Sequence, residues 1–270
     1  MASVAVYSDR GTQRPVNQDA CCLQVADTPF GEVVMAVVCD GVGGLALGEL
    51  ASATVVQAFA AWFRDELPTV LSAAWEGLDV ARTLGVWEHV LEQTNSRLVS
   101  YGLHHGVRLG TTFTGVLACN GRYVVGQVGD SRLYVLDADG CRQVTQDQSL
   151  VADLVAHGEL SAEDASHHPL KNVISQAVGA ARELCPVFSQ GAYGTDDVFV
   201  LCSDGMYRTG GPEKLRLSLP SLVPRTSASL QTACKQAASH VLRKGERDNL
   251  TMVCFSLGLD DAPSPDVVGR

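Results

Sequence analysis

Apolar positions in this chain follow two rules, one period-two or unbroken and short, the other helical, and the two alternate in blocks. Residues 2–7 alternate loosely. Residues 21–26 and 33–39 are β-rich runs split by the turn-like Asp27-Thr28-Pro29-Phe30-Gly31. All three read as strands. From Leu45 to Phe63 the chain is Ala-rich and proline-free, with apolar residues at helical spacing. It predicts a helix ended by residues 65–67 and Pro68. A second helix is expected over residues 87–101 with Gly102 as its stop, and partial helix over 70–85. After Gly110, residues 111–118, 123–128, 132–136 and 141–144 form short β-rich runs. The turn pairs Asn120-Gly121 and Asp139-Gly140 lie between them, which predicts a β-meander. Residues 148–158 read as a helix. Another begins at 161–165, capped by Ser161 with Asp164 three residues on. Strands follow at 173–178, 184–189 and 198–202, then an amphipathic helix at 230–243 and a strand at 250–257.

Strands do not alternate with helices, which argues against a doubly wound parallel sheet. An α+β arrangement, with antiparallel sheets covered by segregated helices, fits the order. No internal repeat or low-complexity linker divides the chain, so residues 1–259 are read as one domain. The stretch 260–270, rich in Asp and Pro, is expected to be disordered.

Composition narrows the function classes. The 270 residues are 46% hydrophobic, enough for a sizeable core, and the formal net charge is −10 with no basic tract. That balance argues against nucleic acid or an anionic membrane as the main partner. Nine cysteines, an odd number, sit mostly in apolar strand-like runs, and no Cys-x-x-Cys pair occurs. Reduced, buried thiols and a cytoplasmic setting are expected. The first residues lack the pattern of a signal peptide, and no apolar run approaches the ~20 residues of a membrane span.

Five scattered segments pair an acidic residue with glycine or a small polar partner. They are Asn17-Gln18-Asp19, Asp40-Gly41-Val42-Gly43-Gly44, Gly129-Asp130-Ser131-Arg132, Ser203-Asp204-Gly205 and Arg247-Asp248-Asn249. Alone, each is ordinary turn chemistry. Four of them adjoin strand-like runs, however. A carboxylate at the end of a buried strand is placed rigidly, and a neighbouring glycine lets backbone or ligand come close. Several such carboxylates converging would form a cage of hard oxygen ligands suited to Mg²⁺ or Mn²⁺, and so a multi-metal hydrolase.

In this order, and with Gly11-Thr-Gln-Arg14 and Gly110-Thr-Thr112, the segments resemble the metal-dependent protein phosphatases. These are the type 2C serine/threonine phosphatases, and the likeness is to their bacterial branch, over about residues 4–257. The resemblance implies a four-layer α-β-β-α sandwich of two antiparallel sheets flanked by helices. It implies Mn²⁺ or Mg²⁺ as cofactor, two central ions with a third, weaker one in bacterial members. It assigns Asp40 as the carboxylate bridging the central ions and Gly41 as a carbonyl ligand. Asp204 and Asp248 fall on the other ion, Asp19 in the acidic pair of the first motif, and Asp130 on the third ion. Arg14 matches the arginine that grips phosphate. Two bridged cations lower the pKa of a shared water, which attacks phosphorus in line, while cations and Arg14 neutralise phosphoryl charge. A planar guanidinium suits that task because it binds two oxygens at once.

Two positions depart from the family pattern. Val42 stands where many relatives have a histidine proposed as general acid. Gln18 stands where the family usually has Glu, so weaker metal binding is expected there. The seven histidines form no metal pattern; His104-His105 are expected past a helix end. Residues 147–180 match the family's flap beside the substrate groove, and Lys171-Asn-Val-Ile174 in it suits an acidic phosphopeptide. The expected partners are phosphorylated proteins, among them a cognate serine/threonine kinase and its substrates, with the phosphatase a monomer. A non-catalytic phosphoprotein-binding regulator is the alternative; retention of Asp40, Asp204 and Asp248 argues against it.

Overall fold

The structure is a computed structural model and describes residues 1–42, 45, 47–72, 77–137, 140–218 and 225–258. The expected disordered tail, Gly43-Gly44 and Asp139 lie outside the described residues.

Two five-stranded sheets form the centre. One has the order β1(Ser3–Asp9), β12(Leu250–Ser256), β11(Val198–Cys202), β8(Arg132–Leu136), β9(Cys141–Gln143). The other runs β10(Val187–Ala192), β7(Arg122–Val128), β6(Phe113–Cys119), β3(Gly31–Cys39), β2(Ala20–Thr28). Their ladders are antiparallel.

Side-chain alternation explains the layers. In β3, Val33, Met35, Val37 and Cys39 face α1(Gly48–Glu66) and α2(Val80–His105), while Val34, Ala36 and Val38 face the opposite sheet. A strand buried on both faces reads as an unbroken apolar run, as residues 33–39 do. On the helix side, Phe59 stacks on Phe113 at 4.4 Å and meets the edge of Trp87 at 5.3 Å. Each such ring pair contributes about 0.5–1.5 kcal/mol beyond its buried area. Between the sheets Phe199 and Phe255 stack at 4.7 Å. Against the first sheet, α6(Gly211–Arg216) and α7(Ser227–Arg243) bury Leu215, Leu230, Cys234, Ala237 and Val241. The result is the expected α-β-β-α sandwich. All nine cysteines are free, and five are buried. Cys21 and Cys22 turn to opposite faces of β2, one toward the inter-sheet core and one toward the helices.

Several expectations need correction. The four strands after Gly110 are not a meander: β6 and β7 form a hairpin in one sheet, while β8 and β9 belong to the other. The Asn120-Gly121 turn is as expected, with φ of 43° and 75°. The chain changes sheet at Gly129-Asp130-Ser131. Residues 173–178 are not a strand. They make isolated bridges from Ile174 to Ser149 and from Val178 to Thr111, because β10 already occupies the sheet edge. That strand begins after Pro186, which has no N–H to donate, and not at residue 184. Gly102 does not stop α2. The helix runs on to His105 and ends on left-handed Gly106, so the histidine pair lies in its last turn. Gly102 serves contact: a Cβ there would lie 2.7 Å from the Val107 carbonyl oxygen. The described part of 70–85 is a 3-10 turn, a two-residue hairpin β4(Leu71–Ser72)–β5(Gly77–Leu78), and the start of α2 capped by Asp79. The short helices α5(Asp204–Tyr207) and α6 have too few residues to show a period.

Candidate active site

Antiparallel register carries the acidic segments to one end of the sandwich. Ala20 pairs with Cys39, so Asp19 before β2 and Asp40 after β3 share that end. Phe113 pairs with Val128, which puts Thr111-Thr112 and Asp130 there. Cys202 pairs with both Arg132 and Met252, adding Asp204 after β11 and Asp248 before β12. Asp9 pairs with Leu250, so the loop after β1 brings Arg14 to the same place.

The loops are tied to one another. Asp40 is held by its backbone: its carbonyl accepts from Thr112 N–H at 2.8 Å and Thr111 Oγ1 at 2.9 Å, and its N–H donates to Thr112 Oγ1 at 2.9 Å. Thr112 Oγ1 is 2.7 Å from Ser131 Oγ, which links the Asp130 turn to the same post. Asn249 Oδ1 accepts from Gln18 N–H, and its Nδ2 donates to the carbonyls of Arg10 and Val16. Close approach demands glycine at two places. A Cβ on Gly41 would lie 2.7 Å from the Gln18 carbonyl oxygen, and one on Gly205 would lie 2.1 Å from that of Asn249.

The cavity enclosed is ≈ 220 Å³ and is lined by Arg14, Asp40, Gly41, Asp130, Asp204 and Asp248, with Gln18, Val42 and Asn249 among its other walls. Of the predicted site residues, Asp19 does not line it. It lies behind, 9% exposed, with Oδ2 accepting from Ser203 Oγ at 2.8 Å. Burial and the neighbouring carboxylates push these acids up. Burial raises Asp19 to about 7, against hydrogen bonds that lower it, and Asp204 and Asp248 add to the rise. Asp130 rises to about 7 through burial, then Asp204 and Asp147. Asp204 rises to about 6 through burial, opposed by Arg208. Asp40 is raised well above the carboxylate range by burial and by Asp19. This much negative charge in one enclosed place is costly without a counter-charge.

Two guanidiniums supply part of it. Arg14 Nη2 pairs with Asp248 Oδ2 at 2.7 Å. Arg208 Nη2 pairs with Asp204 Oδ2, and its Nη1 lies 3.7 Å from Asp248 Oδ2. Asp19 Oδ1 and Asp204 Oδ1 are buried and have no hydrogen-bond partner. Orphaned carboxylate oxygens in an all-oxygen wall fit a hard divalent cation. Among the described residues no three His, Cys, Asp or Glu side chains already form a closed ligand group. The site carboxylates turn to guanidiniums and hydroxyls instead, so the donor set suits a metal and its rotamers do not yet enclose one.

Sequence reading missed Arg208, Tyr207 and Asp147. Arg208 had one available signal, its i,i+4 spacing from Asp204 in a short helix. Tyr207 lies under the Arg132 guanidinium at 3.7 Å, and its hydroxyl is 3.5 Å from Asp130 Oδ2. Asp147 grips Arg132 with both oxygens, at 2.8 and 2.6 Å. These residues wall a second cavity of ≈ 570 Å³ beneath α3(Leu150–Ala156) and α4(Ala162–His167). It shares Asp130, Asn172 and Arg208 with the first.

The chain is similar to several known proteins. The chain is 28% identical over 263 residues to the protein phosphatase PhpP of Streptococcus pneumoniae, covering 96% of this chain and 99% of PhpP. It is 32% identical over 207 residues to the serine/threonine phosphatase stp of Listeria monocytogenes, covering 74% and 75%. The catalytic domain of the serine/threonine protein phosphatase PstP, solved with two manganese ions, superimposes with a TM-score of 0.73 at 27% identity, covering 95% and 98%. The family model for protein phosphatase 2C matches residues 10–245, and the chain belongs to that family.

Proposed function

We propose that this protein phosphatase hydrolyses phosphoserine and phosphothreonine esters of proteins at the acidic cavity, with Mn²⁺ or Mg²⁺ as cofactor. The observation that carries the reading is the convergence of Asp40, Asp130, Asp204, Asp248 and Arg14 on one cavity, with buried carboxylate oxygens left unpartnered. Asp40 and the Gly41 carbonyl would hold the central ions together with Asp204 and Asp248. Asp19 would support them from behind, and Asp130 would serve a third ion. Divalent cations held there would lower the pKa of a bound water and offset charge on the phosphoryl group. The protein's own part is placement. The hydrogen bonds from Thr111 and Thr112 fix Asp40, and the Asn249 bonds fix Gln18 and the turn carrying Asp248. Arg14, 41% exposed at its side chain, is reachable by a phosphate and presents its fork to two oxygens. Val42 in the cavity wall has no proton to give, so the leaving alkoxide would need another donor, of which water is one candidate.

The catalytic unit is residues 1–259, with 147–180 as a flap over the neighbouring groove. Its substrates are phosphorylated proteins, including a serine/threonine kinase and that kinase's targets, met in the cytoplasm by a monomer. No described helix is long and apolar enough to cross a membrane. The test is turnover of a phosphothreonine peptide after chelation, with and without added Mn²⁺. Release of phosphate only with the metal is expected; equal release without it would refute the metal mechanism.

A further inference from the structure

Arg208 belongs to no motif read from the sequence, yet it stands among the carboxylates. Asp204 opens α5 and Arg208 follows its last residue, so one helical turn brings the guanidinium back onto Asp204. The same group lies 3.7 Å from Asp248 Oδ2. Asp204 Oδ2 and Asp248 Oδ2 therefore converge on one point, and the guanidinium is at that point. The remaining Asp248 oxygen accepts from Asn249 N–H at 2.9 Å, and the remaining Asp204 oxygen is buried without a partner. A cation bridging the two residues through their facing Oδ2 atoms would take the place that the Arg208 guanidinium holds. Arg14 touches only Asp248 of this pair.

Resting on the metal-centre reading above, we propose that Arg208 and the divalent cations are alternative partners of the Asp204–Asp248 pair, so that Arg208 sets how tightly the site takes metal. Two positive groups cannot share these oxygens without strong repulsion. Arginine keeps its charge at every working pH, so protonation does not relieve the competition. The displaced side chain has space to enter. Arg208 also lines the ≈ 570 Å³ cavity beneath α3 and α4, whereas Asp248 lines only the smaller one. In exchange, the guanidinium keeps the acidic cluster tolerable whenever cations are scarce.

The test titrates Mn²⁺ alone, by calorimetry, into the parent, Arg208→Met and Arg208→Lys, and melts each in chelator and in saturating Mn²⁺. Arg208→Met should bind Mn²⁺ about tenfold tighter, the unscreened charge effect reduced by water and salt. It should melt below the parent in chelator, and the gap should close with Mn²⁺. Arg208→Lys, a point charge that pairs with one carboxylate at a time, should bind with intermediate affinity. If the parent binds Mn²⁺ and Arg208→Met binds it equally or more weakly, the proposal is overturned. Tighter binding with unchanged melting in chelator also overturns it, because charge would then act from a distance without pairing. If Arg208→Met does not fold, Arg208→Lys decides: tighter than the parent supports competition, equal refutes it. A parent that binds no Mn²⁺ at all refutes the metal-centre reading itself.

Discussion

The acidic ring at the strand ends and the segment 147–180 border the same groove but are built in opposite ways. Each carboxylate of the ring adjoins a strand or its turn, and the backbone of Asp40 is bonded to the neighbouring Thr111-Thr112 segment. The segment carries two short helices, α3 and α4, capped by Ser149 and Ser161. Most of its hydrogen bonds are local, and Leu170 and Val173 are exposed. Elements with few buried contacts open at low free energy, whereas core strands open only with the whole domain. The groups proposed to meet a reacting phosphorus sit on the rigid part. The segment proposed to face the rest of a substrate is the more loosely held part.

The largest effect should come from breaking the rigid part. Asp204→Asn keeps size and shape but removes a charge that a cation needs. Turnover of both p-nitrophenyl phosphate and a phosphothreonine peptide should fall by at least about a hundredfold, the scale of losing a charge-stabilising group. Circular dichroism should be unchanged, because the strands on either side do not depend on that charge. Parent-like turnover in Mn²⁺ would remove Asp204 from the site.

Arg14→Ala comes next. Its guanidinium lies between Asp248 and open solvent, so the loss should fall on phosphate binding. The Michaelis constant should rise about tenfold, the value of a charge-assisted hydrogen bond. Mn²⁺ affinity measured by calorimetry should hold or improve, since Asp248 gains a free oxygen. Lost metal binding with an unchanged Michaelis constant would contradict the role.

The same contrast separates what was legible in the sequence from what was not. Unbroken apolar runs such as 33–39 and 198–202 announce strands buried on both faces, and the acidic residues just beyond them announce the site. The ring is carried by strand ends, so motif order sufficed to predict that Asp40, Asp130, Asp204 and Asp248 converge, although Asp19 lies behind them. The 173–178 segment misled because Val173, Ile174 and Val178 look β-like, yet nothing local reveals that β10 holds the sheet edge. The meander reading failed for a similar reason. A short turn at Gly129-Asp130-Ser131 serves a hairpin or a change of sheet equally well, and only long-range pairing decides. Arg208 was missed because a four-residue helix has no period, and its one signal, the i,i+4 spacing from Asp204, is easily read as surface charge.

A change in the adaptable part should divide substrates instead of abolishing activity. Val155 lies on α3 in the wall of the larger cavity, alongside Val151 and Ala152. Val155→Asp places a negative charge where a phosphopeptide would lie. Its effect should be a several-fold rise in the Michaelis constant for a phosphothreonine peptide, within the ~1–3 kcal/mol expected for a buried mismatch. Hydrolysis of p-nitrophenyl phosphate, which ends at the small cavity, should not change. Equal losses on both substrates would show that segment and ring work as one rigid unit, and the contrast between them would fall.

The smallest effect is expected at Gln18, where ring and helix layer meet. Its backbone is fixed by Asn249 and Ser52, and its side-chain Nε2 donates to Glu49 Oε2 at 3.2 Å. A carboxylate here would bring negative charge to the cavity wall and favour cations. At an effective dielectric of about 20, a charge ~5 Å away is worth on the order of 3 kcal/mol before screening. The new carboxylate would also face Glu49, a like charge within hydrogen-bonding distance, and Glu49 is exposed to water and salt. Both effects cut the gain. Gln18→Glu should therefore lower the Mn²⁺ concentration for half-maximal activity only a few-fold, and Gln18→Glu combined with Glu49→Gln should lower it further. Activation curves for the single and double variants that overlay the parent, or shift to weaker binding, would show that this side chain does not address the metal.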